Sequence, residues 1–318
     1  MRNLKISLYE KAFKIRALEQ EISKRYKKNK MRCPVHLSIG QESVSAAFST
    51  VVRKNDYAVS THRGHAHFLA KGGELKKLIA EIYGKKTGCS QGKGGSMHLI
   101  DLKSNFMGTS AIVANSIPTG VGLGYSAKFL KKNQISFVFL GDAATEEGVF
   151  YESINFSVIK KVPVIFICEN NFYSVYSPLS VRQPERRKIH KMCNALGIKS
   201  LLCDGSNLLK TYKIIKQASD YVRKFKKPFF IEFETYRFLE HCGPDFDNHL
   251  KYRSQKEFDY WKSKDPIPKL RKELLKKNKR QLMKIEKKIN HEINNAFDFA
   301  EKSKFPNQKD AYKGVYAK

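Results

Sequence analysis

Long hydrophobic runs are missing from this 318-residue sequence. None approaches the ~18–20 apolar residues that a membrane-spanning helix needs. The opening Met1–Ser7 carries no signal-peptide apolar stretch, so the expected location is the cytoplasm. Cysteine is scarce and spread out: the six, at positions 33, 89, 168, 193, 203 and 242, contain no CxxC. That argues against a zinc ribbon, a paired redox motif or a disulfide scaffold. Negative charge is also in short supply, with 30 acidic residues against 60 basic ones and a net charge of +30. What remains, at 41% hydrophobic and 12% aromatic, is enough to bury a sizeable core and to exclude a disordered chain.

A charge of +30 and a pI near 9.8 first suggest a nucleic-acid binder. Yet only 14 of the 60 basic residues are Arg, and planar, bidentate recognition of phosphates and bases favours Arg over Lys. The Lys are scattered, with enrichment only over 251–318, where 20 basic residues face 9 acidic ones. No zinc finger or aromatic–basic interleave accompanies them. The excess reads as solvated, positive surface, and nucleic acid is not an expected partner.

Hydrophobic periodicity organises the rest. Residues 1–30 have the spacing of an amphipathic helix, and a second helix is expected over 41–51. Tyr57–Ser60 reads as a short strand running into Thr61-His62-Arg63-Gly64-His65. A glycine-rich loop spans Gly84 to Gly95. Ile135–Leu140 and Val162–Cys168 are apolar at nearly every position and flank a helix over Glu147–Ile159; Pro228–Glu234 adds another strand. Strands apolar throughout belong to a parallel sheet covered on both faces. The fold class is therefore α/β, a doubly wound, mainly parallel sheet with helical N- and C-terminal extensions. The domain division is 1–262 for the α/β body and 263–318 for a Lys-rich helical extension.

In such sheets ligands bind outside the carboxyl ends of the strands. Polar clusters fall at three such ends: Thr61 to His67, Gly141-Asp142, and Asn170-Asn171. Asp142 and Asn171 are hard oxygen donors suited to Mg²⁺ or Ca²⁺, of which Mg²⁺ typically bridges substrate phosphates. Gly141 and Ala143 leave room for a diphosphate to approach the backbone, with a helix N-terminus nearby. Gly88-Cys-Ser-Gln-Gly-Lys93-Gly lacks the spacing of a P-loop. Gly120-Val-Gly-Leu-Gly124 follows no clear strand and reads as a helix-packing device, and the histidines between His62 and His98 suit no zinc spacing.

Gly141-Asp142-Ala143, 26 residues and then Asn170-Asn171 resembles the thiamine diphosphate motif. The flanking text, Gly141 to Asn155 and Val164 to Tyr173, resembles the alpha subunit of the decarboxylating component of 2-oxo acid dehydrogenase complexes, with pyruvate and acetoin dehydrogenases nearest. Asp56 to His65, Gly92 to His98 and Thr235-Tyr-Arg237 share the likeness, in one order from about residue 8 to Pro268. The resemblance implies thiamine diphosphate and Mg²⁺ as cofactors, with Asp142, Asn171 and the Tyr173 backbone carbonyl as metal ligands. It assigns Arg63 to the diphosphate, and His62, standing where a Tyr is common, to the same group. It assigns the backbone of Ala111 and Val113 to the aminopyrimidine, with the Val113 side chain beneath the bent cofactor. His241 takes the place of the active-site His, and His65 is a second catalytic candidate.

The resemblance further implies a separate beta subunit carrying the Glu that contacts the aminopyrimidine, an α₂β₂ assembly, and acyl transfer to a lipoyl acyltransferase. A small 2-oxo acid, pyruvate first, is the expected substrate. The chain departs from the pattern at Ala143, in the segment Phe172–Arg182, and after His241, where no Ser follows. An acetoin dehydrogenase or a transketolase-like lyase would use the same cofactor. A basic interaction protein on a retired fold would use none. The positive 251–318 segment is a candidate dock for an acidic face of either partner.

Overall fold

The computed structural model describes residues 2–314. Its elements begin with α1 (Arg2–Tyr26), α2 (Glu42–Val51), β1 (Tyr57–Thr61), α3 (His65–Lys71) and α4 (Leu75–Ile82). The middle holds β2 (Phe106–Ser110), α5 (Ser116–Phe129), β3 (Ser136–Gly141), α6 (Gly148–Ile159) and β4 (Val164–Asn170). A two-residue hairpin, β5 (Tyr173–Ser174) with β6 (Ser177–Pro178), and the short α7 (Leu179–Arg182) follow. The chain continues with α8 (Ile189–Ala195), β7 (Lys199–Asp204), α9 (Leu208–Phe225), β8 (Phe229–Glu234), α10 (Gln255–Ser263) and α11 (Pro266–Lys302).

Six strands form one parallel sheet in the order β2-β1-β3-β4-β8-β7. The apolar strands supply both of its faces, because successive side chains point to opposite sides. Phe137, Phe139, Ile165, Ile167, Phe229 and Ile231 join a core completed by α1, α2, α4, α9 and α11. Their neighbours Val138, Leu140, Val164, Phe166 and Phe230 join a second core under α5, α6 and α8. Glycine allows α5 to lie close: a Cβ on Gly120 would stand 2.3 Å from Val138 Cγ2 and 2.7 Å from Val59 Cγ2. The Gly120–Gly124 run is thus a helix-to-sheet contact.

Two strands, β2 and β7, were not evident from periodicity. Both are edge strands, and their half-exposed faces break the apolar pattern. The α6 helix starts one turn after the end of β3, because Asp142–Glu146 first forms a 3₁₀ turn. The glycine-rich loop does not present its amides to a ligand. Its Ser90, Gly92, Gly94 and Gly95 N–H groups all donate to the carboxylate of Glu81, a wholly buried residue on α4, at 2.7–3.1 Å.

The Lys-rich C-terminal segment is mostly α11, two helical stretches that meet at a kink at Asn278, capped at its start by the Asp265 side chain accepting from Ile267 N. Its stripe of Ile289, Ile293, Ala296, Phe297 and Ala300 enters the larger core, leaving its many Lys on the solvent side. Buried Arg16 of α1 ties this helix to the body, pairing with Glu42 on one side and Asp265 on the other.

Candidate active site

Because every strand of the sheet runs the same way, β1, β2, β3, β4 and β8 all end on one edge, and their following residues meet there. A cavity of about 230 Å³ opens at that edge. His62, Arg63, Ala111, Val113, Gly141, Asp142, Ala143, Asn171, Tyr173 and His241 all line it. His36, Gln41, Glu169 and Ser174 join them, none of them singled out by sequence. His65 does not. It is wholly buried on α3, with Nε2 2.7 Å from Ser96 Oγ and Nδ1 3.6 Å from Glu19 Oε1. It is the first residue of α3 and lies outside the cavity lining.

Asp142, 2% exposed, follows directly from β3, with the Thr145 hydroxyl donating to its carbonyl at 2.7 Å. Burial raises its pKa, an effect partly offset by the Arg182 guanidinium, which pairs with its carboxylate. Arg182 is held from the other side by Glu146. The two Asn differ in kind. Asn170 is buried, donating to Glu232 at 2.8 Å and accepting from Phe172 N at 3.0 Å. Asn171 faces the cavity, its Oδ1 accepting from Tyr173 N at 3.2 Å and its Nδ2 donating to Gln41 at 3.4 Å. The Tyr173 side chain is drawn away by a hydroxyl–carboxylate contact to Glu257 at 2.8 Å, which leaves its main chain to the cavity.

On the opposite wall the 35–39 and 238–243 segments pair, with Gly243 N donating to Val35 O at 2.8 Å and Phe238 N to Ile39 O at 2.9 Å. Arg63 clasps the same two segments, donating to Leu37 O at 2.6 Å and to His241 O at 3.1 Å. It is both a cavity residue and the brace of this wall. The pairing brings His36, His62 and His241 together, with ring centroids 4.6, 5.1 and 5.4 Å apart. No local signal could announce His36, which reaches His241 only through tertiary pairing. Among the described residues this is the one cluster with metal-ligand spacing, its ring nitrogens within 4.8 Å of one another. The adjoining Arg63 charge opposes a second cation there and favours an anion.

Burial, reinforced by Arg63, lowers the pKa of all three rings: His36 to about 2, His241 to about 3 and His62 to about 4. They are neutral donors and acceptors at neutral pH. The unfolded chain, in contrast, protonates them below about pH 6.5. Between there and about pH 4 the unfolded state binds more protons, so stability is full above the window and falls as pH falls through it. Urea melts at about pH 7.5, 6 and 5 should show declining midpoints, and His241→Gln should flatten the decline. An equal slope in that variant would remove His241 from the account.

Residues 10–309 match the dehydrogenase E1 component family. The chain is 37% identical to the pyruvate dehydrogenase E1 component subunit alpha of Rickettsia bellii (strain RML369-C), over 97% of this chain and 95% of the relative. It is 34% identical to the protein of the same name from Porphyra purpurea, over 98% and 92%. With the pyruvate dehydrogenase E1 component subunit alpha-3, chloroplastic, of Arabidopsis thaliana it shares 33%, over 98% and 74%.

Proposed function

The chain belongs to the dehydrogenase E1 component family, and from that membership we propose that it is the alpha subunit of a pyruvate dehydrogenase, an oxidoreductase that decarboxylates a 2-oxo acid with thiamine diphosphate and Mg²⁺. The observation that carries the reading is the convergence of Asp142, Asn171, Arg63, His62 and His241 on one cavity at the carboxyl edge of the sheet.

The residues present fit such a group. Asp142 is a buried carboxylate, Asn171 adds a hard amide oxygen, and the space where a Gly141 Cβ would stand is open. Asp142, Asn171 and the Tyr173 carbonyl would hold the metal. Arg63 and His62 would meet the diphosphate, while the backbone of Ala111 and Val113 would meet the aminopyrimidine, and the Val113 side chain would support the ring from below. The cofactor supplies the electron sink for the bond to the departing carboxylate. His241, neutral and lining the cavity, orients the substrate and moves a proton there.

An incomplete site supports a beta subunit as partner. A cavity of about 230 Å³ falls below the ~300–1,000 Å³ of a full ligand pocket, and Ile112 and Val113 at its lip are 70% and 48% exposed. Tyr125 and Phe129 of α5 and Phe156 and Ile159 of α6 form a further exposed apolar face. Such faces mark association sites. An α₂β₂ assembly that passes its acyl group to a lipoyl acyltransferase completes the proposal. None of the helices among the described residues is long and apolar enough to cross a membrane.

The test is turnover of pyruvate by the chain with and without a co-expressed beta subunit. The complex should release CO₂ and reduce lipoamide, and the lone chain should do neither. Cleavage of acetoin with no CO₂ from pyruvate would move the assignment to an acetoin dehydrogenase.

A further inference from the structure

The residue that sequence reasoning left out of the site, Arg182, sits on the one carboxylate that the proposed metal needs. It comes from α7, in the segment after the Asn pair where this chain departs from the family pattern. Its Nη2 pairs with Asp142 Oδ2 and its Nη1 with Glu146 Oε1. The side chain is 11% exposed, and Nε donates to Ser177 O at 3.1 Å, so the guanidinium is fixed on three sides. Next to it, Gln183 donates to the same Glu146 oxygen at 2.8 Å. A nearly fully buried carboxylate without a counter-charge is strongly unfavourable, and here the counter-charge is supplied by the chain itself.

We propose that Arg182 is a built-in stand-in for the metal: it holds Oδ2 of Asp142 and must be displaced from it before a dication can bind through that oxygen. The inference rests on the reading of Asp142 as a metal ligand. Its physical basis is that a guanidinium and a dication cannot both lie against one carboxylate oxygen without severe repulsion. Two consequences follow. The apparent affinity for the metal is lowered by the fraction of molecules in which Arg182 is in place. By reciprocity, loading the site weakens the hold on Arg182 and frees the 177–183 segment. Glu146 then acts as the parking place, since it lies within reach of the same guanidinium and keeps it paired after Asp142 is given up. Arg182 is thus a positioning residue that couples cofactor loading to the conformation of the segment beside the cavity.

Binding of Mn²⁺, as a spin-active surrogate for Mg²⁺, to the cofactor-free assembly with its beta subunit tests this without recourse to activity. Arg182→Gln should tighten Mn²⁺ binding ~10-fold or more. Arg182→Lys, whose single ammonium cannot bridge Asp142 and Glu146 as a fork does, should fall between wild type and Gln. Hydrogen exchange over 177–183 should rise on loading the wild-type site. Mn²⁺ affinity that is unchanged or weaker in both variants overturns the proposal, the weaker result assigning Arg182 to the loaded site instead. A failure of this inference is distinguishable from failure of the functional reading, because Asp142→Ala tests the ligand role whatever Arg182 does. Should the Gln variant not fold, the Lys variant and the exchange experiment still decide the matter.

Discussion

An Asp142→Ala chain, assembled with its partner subunit, should lose thiamine diphosphate and Mg²⁺ affinity by at least ~100-fold and show no measurable decarboxylation. The expectation follows from charge at close quarters. Asp142 is the only carboxylate among the three proposed ligands, and its burial keeps water from screening the attraction. Without it the dication is left with two neutral oxygens, and losing a direct ionic contact costs on the order of several kcal/mol. Asp142→Asn separates charge from shape, since it retains an oxygen donor of similar size. It should keep the fold and recover the affinity only slightly. Either variant leaves Arg182 with Glu146 as its remaining anion, so the thermal stability of both should stay close to wild type. Calorimetric titration with metal and cofactor together reads the effect, and retained affinity in the Ala variant would falsify the metal assignment.

Replacing Glu81 should be strongly destabilising, at roughly 3–5 kcal/mol, against a total of roughly 5–15 kcal/mol for a domain. Its carboxylate is the shared acceptor for four backbone N–H groups of the glycine-rich loop. Removing it leaves four part-buried N–H donors without their shared acceptor at once. The loop leads directly into Ser96, which holds His65, and Met97, which lines the cavity. Loss of stability should therefore come with slack in the site. Glu81→Gln is the sharper test. It matches the side chain in volume, but its amide turns two donors toward N–H groups that are themselves donors. If urea melts find the Gln variant within about 0.5 kcal/mol of wild type, packing rather than acceptor charge holds the loop.

The inner strands and the polar residues at their ends were legible in the sequence for a common reason. β3, β4 and β8 lie in the middle of the sheet and are apolar on both faces, so their ends, and Asp142 and Asn171 with them, could be located. β2 and β7, at the sheet edges, have mixed patterns that periodicity cannot separate from loop. His62 and His65 look equivalent in sequence. The onset of α3 separates them, with His62 lining the cavity and His65 buried outside it. His36 and Arg182 were invisible for the opposite reason, since each acquires its meaning from a segment distant along the chain. The charge that dominates the composition barely enters the site, whose guanidinium groups belong to Arg63 and Arg182.

The exposed apolar face on α5 and α6 ties the fate of this chain to gene dosage. A subunit carrying Tyr125, Phe129, Phe156 and Ile159 in the open is soluble company only while a cover is at hand. Made in excess, it has its own copies as the nearest apolar surface, and self-association competes with correct pairing. A +30 net charge works against that outcome through mutual repulsion, which salt screens. The Lys excess, silent in the chemistry, thereby acts against association of uncovered copies.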